Sequence, residues 1–133
     1  MNVDESVTIP VSRERVWQAL TDPDDRAEWW HDFDLDPVPG GKLEERWTDD
    51  NGTPMLTTGR VTAVSPGEHL RFSWSDERWP TITHVSISLH DLGHETLVRI
   101  TESGWDAFPD SLAADHRAGW RVHLTNLRRH LSP

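Results

Sequence analysis

Five segments with strand character follow one another between residues 42 and 103, and this succession restricts the possible folds more than any other feature. They read KLEERWT, LTTGRVTAV, HLRFSWS, TITHVSISLH and ETLVRITES. The sequences that separate them, DDNGTP, SPGE, DERWP and DLGH, are short and rich in turn-forming residues. Such connections favour hairpins between consecutive strands. The sequence therefore predicts a mostly antiparallel sheet.

One further strand and two short helices are predicted ahead of this sheet. Residues 6–11, SVTIPV, alternate apolar and polar side chains and stop at a proline, as a first strand does at its edge. Ser12 has the right chemistry for an N-cap, and Val16 and Leu20 fall on one face of the helix that would follow it. A second short helix, DDRAEWW, is predicted after Pro23.

The C-terminal segment, residues 110–131, is predicted to form one continuous amphipathic helix. Residues of its buried stripe recur every three or four positions: Ala113, His116, Trp120, Leu124, Leu127 and Leu131. His123 projects within roughly 60° of Trp120, so one edge of the stripe is polar. Gly119 costs roughly 1 kcal/mol relative to alanine in a helix interior. We therefore expect Gly119 either to leave room for a cavity or to let the helix approach the sheet.

Several of these segments resemble one known family in both sequence and order. They are TIPVSRERVWQALTDPDDRAEWW, PGGKL, GRVTAVSPGEHLRFSW, GHETLVRITESGW and GWRVHLTNLRRHL. Together they resemble the SRPBCC (START-like) superfamily, and more closely its branch related to the C-terminal domain of the activator of heat-shock protein 90 ATPase. The resemblance implies an α+β helix-grip fold over residues 1–133 as a single domain. In that fold a curved antiparallel sheet of about six strands wraps around the long C-terminal helix, two short helices follow strand one, and a cavity lies between sheet and helix.

Composition excludes several classes of function. With no cysteine, the chain has no disulfide, thiolate metal site or thiol nucleophile. Its 23 acidic against 13 basic residues give a formal charge of −10, which repels nucleic acids and anionic membrane surfaces. The sequence does not start with a basic segment followed by an apolar run, so we expect no signal peptide, and its apolar runs are much shorter than the about 20 residues needed to cross a bilayer. We expect a cytoplasmic protein with no nucleic-acid or membrane partner.

Strand parity predicts which side chains face the cavity. In HLRFSWS the inward side chains should be Leu70, Phe72 and Trp74. In ETLVRITES they should be Thr96, Val98, Ile100 and Glu102. In KLEERWT, Leu43, Glu45 and Trp47 should share one face. Glu102 then points towards the helix that carries His116 and His123. Such a half-buried carboxylate beside imidazoles could be a general acid/base pair, a contact for a polar ligand or a structural pair.

Aromatic residues outside the strands suggest a lid and an interface. By the family resemblance, Trp30 and Phe33, in EWWHDFD, are predicted to close over the cavity mouth; the alternative is a hydrophobic plug without a ligand. Trp29 is expected in the core. Trp79, beside a proline in the loop DERWP, is a candidate contact in a homodimer.

Known reaction motifs are missing from the sequence. It contains no phosphate-binding glycine loop, GxSxG elbow or HExxH motif, and we expect neither a metal nor a cofactor. The leading hypothesis is a protein that binds an apolar or aromatic small molecule without catalysis. The alternatives are a cyclase- or hydrolase-like enzyme that uses His116 or Glu102, and a chaperone-binding or dimeric interaction module. The predicted ligand contacts are Trp30, Phe33, Leu43, Glu45, Trp47, Phe72, Trp74, Glu102, His116, Gly119, Trp120 and His123.

Overall fold

The computed structural model describes residues 2–132, which form one antiparallel sheet and three α-helices. The strands are β1 (Val3–Ile9), β2 (Phe33–Leu35), β3 (Lys42–Thr48), β4 (Pro54–Ser65), β5 (His69–Asp76), β6 (Thr83–Asp91) and β7 (Thr96–Ser103). The helices are α1 (Arg13–Thr21), α2 (Pro23–Ala27) and α3 (Asp110–Leu131), and a short 3-10 turn spans Trp105–Ala107. This confirms the α+β helix-grip fold expected from the sequence.

The seven strands are ordered β1-β7-β6-β5-β4-β3-β2, and every neighbouring pair is antiparallel. Short hairpins join β3 through β7, as their turn-rich connections predict. A register shift between Val61 and Ala63 marks a bulge in β4. Because bulges bend and twist the bulged strand, this one adds curvature to the sheet at β4.

The strand β2 is absent from the sequence prediction, which had about six strands. It has only three residues and pairs with β3 through Phe33, opposite Glu45, and Leu35, opposite Leu43. So short a segment carries almost no alternation signal of its own, since typical strands have five or six residues. Pairing with β3 is what makes it a strand.

The two short helices after β1 follow from capping chemistry. Ser12 caps α1 by accepting a hydrogen bond from the backbone N–H of Arg15 at 3.2 Å. Asp22 caps α2 by accepting from the N–H groups of Asp24 and Asp25 at 2.9 and 3.0 Å. The helix α2 ends at Ala27, so it is shorter than the DDRAEWW segment predicted from the sequence.

The helix α3 is continuous over its 22 residues, and Gly119 does not break it, as predicted. Its buried residues are Ala113, Trp120, Leu124, Leu127 and Leu131. It packs against β1 at one edge of the sheet. Between the helix and the opposite half of the sheet, formed by β3, β4 and β5, the core gives way to a cleft.

Candidate functional site

A cleft of about 320 Å³ lies between α3 and the β3–β5 half of the sheet. Four indole rings form much of its wall: Trp47, Trp74, Trp79 and Trp120. Its charged and imidazole side chains are Glu45, Asp76, Arg78, Asp115, His116 and His123, and the lining is completed by Thr57, Leu112 and Gly119. The cleft thus combines large apolar surfaces with a few polar groups, which is the usual composition of a small-molecule site.

A buried carboxylate behind the cleft organises its wall. Glu102 is fully buried at the end of β7. Its Oε1 accepts hydrogen bonds from Nε1 of Trp120 at 2.8 Å and from Nδ1 of His116 at 3.0 Å, and its Oε2 accepts from the hydroxyl of Thr83 at 2.6 Å. Because all three donors point at one carboxylate, the geometry holds Trp120 and His116 in fixed positions at the cleft.

His116 is the imidazole of this network that reaches the cleft. Its side chain is 19% exposed and lies between the rings of Trp79 and Trp105, whose centroids are 5.2 and 4.9 Å away. In the tautomer that carries its proton on Nδ1, His116 donates this hydrogen bond to Oε1 of Glu102. The second nitrogen, Nε2, makes no hydrogen bond to residues 2–132 and is available to a molecule in the cleft.

His123 lies one helical turn beyond Trp120 and is more deeply enclosed. Its ring centroid is 4.2 Å from that of Trp30 and 5.7 Å from that of Trp120. Burial lowers the pKa of His123 to about 4, so the imidazole is neutral at neutral pH. Its Nδ1 is buried without a hydrogen-bond partner in the part of the chain that the structure describes.

Glu45 is the carboxylate that β3 contributes to the cleft. Its Oε2 accepts a hydrogen bond from Nε1 of Trp30 at 2.6 Å. Desolvation by burial raises the pKa of Glu45, and the hydrogen bond from Trp30 opposes that increase.

Gly119 faces open space in the cleft. A Cβ atom added there would meet no heavy atom within 4 Å. Of the two explanations that the sequence left open, the structure therefore supports room for a cavity and not a close approach of α3 to the sheet.

The structure brings seven of the twelve sequence-predicted site residues to the cleft: Glu45, Trp47, Trp74, His116, Gly119, Trp120 and His123. Leu43 and Phe72 are core residues, each 1% exposed, because they lie deeper along their strands. Glu102 is covered by its three hydrogen-bond donors and reaches the cleft only through His116 and Trp120.

Trp30 and Phe33 do not form the lid that the sequence predicted. Both rings are buried, at 3% and 6% exposure, and they stack on each other with centroids 3.9 Å apart. Because Phe33 pairs with Glu45 in β3, this segment is part of the sheet. The two rings therefore lie in the core beneath the cleft and do not cover its mouth. Trp29 is a core residue, as expected.

Trp79 also differs from its expectation. Its ring does not project from the loop tip but packs on Phe108, with centroids 4.8 Å apart, and on His116. The apolar contacts available on the 3-10 turn and α3 explain why the ring folds inwards and becomes a wall of the cleft.

Sequence reasoning missed several cleft residues, most of which had a usable signal. Asp76 continues the inward parity of Phe72 and Trp74, and Leu112 and Asp115 lie one to two helical turns before Gly119. Thr57 lies before the bulge in β4 and on the same face as Met55 and Val61, so strand parity indicated its inward position as well.

Two further features of the described residues concern metal ligands and membrane-spanning helices. Among residues 2–132, no three histidine, aspartate or glutamate side chains converge as metal ligands would. None of the three α-helices has the length and apolar character needed to span a bilayer.

This combination of fold and cleft defines a helix-grip protein with a site between sheet and C-terminal helix. The family model described as "Activator of Hsp90 ATPase homolog 1-like protein" matches residues 10–132, so the chain belongs to that family. No curated protein matches the sequence.

Solved structures agree with this assignment. DynU16, a protein in the dynemicin biosynthetic locus, is 26% identical with a TM-score of 0.83 over 98% of this chain, which spans 46% of DynU16. The Aha1 dimer from Colwellia psychrerythraea is 26% identical with a TM-score of 0.79, over 99% of this chain and 96% of that one. CalU16 from Micromonospora echinospora, at 21% identity, a TM-score of 0.82 and coverages of 99% and 76%, shares the fold.

Proposed function

We propose that the protein binds a small organic molecule with an apolar or aromatic body in the cleft between α3 and β3–β5. The observation that carries this proposal is that four indole rings and a few polar side chains line the same cleft of about 320 Å³. That volume is near the lower end of the ~300–1,000 Å³ typical of ligand sites. The proposed ligand is therefore small, with one or two rings.

The polar end of the ligand would meet groups that still have bonding capacity. Nε2 of His116 accepts nothing from residues 2–132, and Glu45 receives a single hydrogen bond, from Trp30. Glu102 contributes indirectly, because its oxygens are occupied by Trp120, His116 and Thr83. The neutral His123 adds a further polar edge to an otherwise aromatic wall.

A thermal-shift screen of one- and two-ring compounds against matched variants tests the proposal. A ligand at 100 times its Kd should add about 2.7 kcal/mol to the free energy of unfolding. Gly119→Leu places a side chain in the cleft and should abolish that gain. Ala118→Leu introduces the same side chain at an exposed position of α3, and this variant should retain the ligand-induced gain in stability. Stabilisation that persists in Gly119→Leu, or that no compound produces in the wild type, would contradict binding in this cleft.

A second candidate, general-base catalysis, is supported by the Glu102–His116 pair. A buried carboxylate that holds Nδ1–H of an imidazole leaves Nε2 as the base, and that nitrogen borders the cleft. Hydrolysis of a panel of aryl esters by the wild type, lost in His116→Gln with retained compound binding, would favour this candidate. Equal rates for both proteins would exclude His116 as a base for that reaction class.

A homodimer is a third proposal, and it is supported by the dimeric Aha1 relative. Light scattering on the purified chain should then give twice the mass of one chain, which is 15.3 kDa. A single-chain mass at high protein concentration would contradict it.

A further inference from the structure

The charges that line the cleft are unbalanced. Three carboxylates, of Glu45, Asp76 and Asp115, face one guanidinium, that of Arg78, among the described residues of the lining. Arg78 is drawn to carboxylates at the mouth, with its nitrogens 3.7 Å from Asp76 and 3.8 Å from Asp49. Asp115 is exposed and Asp76 is paired with Arg78, so Glu45 is the half-buried carboxylate of this lining that lies outside any ion pair.

Glu45 is the carboxylate that most lacks a counter-charge. It forms no ion pair with any residue of the described chain, and its hydrogen bond from Trp30 comes from a neutral indole. Burial raises the pKa of Glu45 because it removes the carboxylate from water, and the opposing effects of the Trp30 hydrogen bond and of the charge of His116 do not cancel that increase. A positive group in the cleft would remove that imbalance.

The two imidazoles supply at most part of the missing positive charge. His123 is neutral at neutral pH, because burial lowers its pKa to about 4. Any charge on His116 is offset by the carboxylate of Glu102, which lies 3.0 Å from its Nδ1. A protonated His116 would act on Glu45 as a partial counter-charge that it shares with Glu102, whereas the neutral His123 does not repel a cation there.

The walls of the cleft are the rings to which a cation binds best. Trp47, Trp74, Trp79 and Trp120 line it together, and the faces of indole rings attract ammonium groups through their quadrupoles. Clusters of aromatic rings beside a carboxylate are a general solution for binding alkylated ammonium groups in water. The net charge of −10 would in addition raise the local concentration of cations around the molecule.

We infer that the ligand of this cleft is an organic cation, an alkylated or aromatic ammonium compound, with its positive group beside Glu45 and between the indole rings. The inference rests on the proposed function, since it specifies the chemical class of ligand for the same site.

Calorimetric titration with two probes of the same shape tests the inference. The first is meta-hydroxyphenyl-trimethylammonium, which is permanently charged, and the second is its neutral analogue meta-tert-butylphenol. The wild type should bind the cation at least about tenfold more tightly than the phenol, as expected for a desolvated cation among aromatic rings.

Matched variants assign the preference to the cleft. Glu45→Gln keeps an acceptor for Trp30 but removes the charge, and it should weaken binding of the cation about tenfold without changing binding of the phenol. Glu95→Gln makes the same charge change at an exposed turn and should alter neither affinity. Trp47→Leu should weaken binding of the cation more than binding of the phenol. The Trp47 ring is 36% exposed, so the fold should tolerate this substitution.

The failures of the two proposals are distinguishable. If the phenol binds as tightly as the cation, or if Glu45→Gln leaves the preference unchanged, the inference about charge is wrong while ligand binding in the cleft stands. If neither probe binds the wild type, the proposed function fails for ligands of this size, and the inference fails with it.

Discussion

The indole N–H of Trp120 donates a 2.8 Å hydrogen bond to Oε1 of Glu102, which joins the middle of α3 to the end of β7 inside the protein. The carboxylate is fully buried and also accepts from His116 and Thr83. A buried carboxylate is tolerated only where its oxygens are satisfied in this way. The same network therefore stabilises the helix on the sheet and sets the wall of the cleft.

Removal of the Glu102 carboxylate should destabilise the protein. Glu102→Leu leaves the N–H of Trp120 buried without its acceptor, which costs about 1–3 kcal/mol, while the hydroxyl of Thr83 keeps only the longer bond to the carbonyl of Trp74 at 3.4 Å. Glu102→Gln should cost less, because its amide oxygen can still accept from Trp120. Urea unfolding of both variants measures this, with Glu95→Leu at an exposed turn as the control. Equal stability of Glu102→Leu and the wild type would show that the network contributes nothing.

Replacement of Gly119 by alanine should stabilise the protein. The new methyl group meets no atom within 4 Å, and alanine is the better helix former by up to about 1 kcal/mol. Thermal unfolding of Gly119→Ala should show the corresponding rise in melting temperature. A lower melting temperature would mean that α3 lies closer to the sheet than the structure describes.

Gly59→Ala should have the opposite effect. A Cβ atom on Gly59, in β4, would lie 1.9 Å from the backbone oxygen of Ser73 in the neighbouring strand β5. Backbone cannot move aside as a flexible side chain can, so overpacking of about 1–3 kcal/mol or more is expected. Chemical denaturation of Gly59→Ala and Gly119→Ala compares the same substitution at two positions. The free energy of unfolding should fall for Gly59→Ala and rise for Gly119→Ala. Unchanged stability of Gly59→Ala would contradict the close spacing of β4 and β5 at this position.

His123 should make stability depend on pH. Its pKa is about 4 in the folded protein against 6.5 as the ordinary value, so between these pH values the unfolded chain binds the additional proton. Stability is therefore lost as pH falls through this window, by up to roughly 3 kcal/mol.

The variant His123→Phe isolates this contribution. It keeps a ring beside Trp30 but cannot titrate, so its stability should fall less than that of the wild type between pH 6.5 and 4. His94→Gln, at an exposed turn, should follow the wild-type curve. Parallel curves for His123→Phe and the wild type would show that the imidazole is not desolvated.

Local patterns were sufficient for most of the secondary structure. The three- and four-residue spacing from Ala113 to Leu131 predicted α3, and Ser12 predicted the start of α1. The exceptions were segments whose conformation depends on a distant partner. The short β2 exists because it pairs with β3, and α2 ends before Trp29, whose indole N–H donates to the carbonyl of Ala19 at 2.9 Å.

Parity and helical spacing also indicated much of the cleft lining, but not how deep each side chain lies. The inward face of β5 contains Phe72 in the core and Trp74 and Asp76 at the cleft, although all three share one parity. Parity assigns a side chain to a face of the sheet. Its depth depends on where α3 lies above that face.

The sequence by itself determined the antiparallel sheet, the amphipathic C-terminal helix and the family, because short turns, residue periodicity and motif order are properties of neighbouring residues. Only the tertiary structure decided that Glu102 is enclosed by donors 14, 18 and 19 residues away, that Trp30 and Phe33 lie below the cleft, and that Trp79 forms one of its walls. Hydrogen-bond partners and burial depth are set by contacts between segments that are distant in sequence, and no local pattern encodes which of those contacts will form.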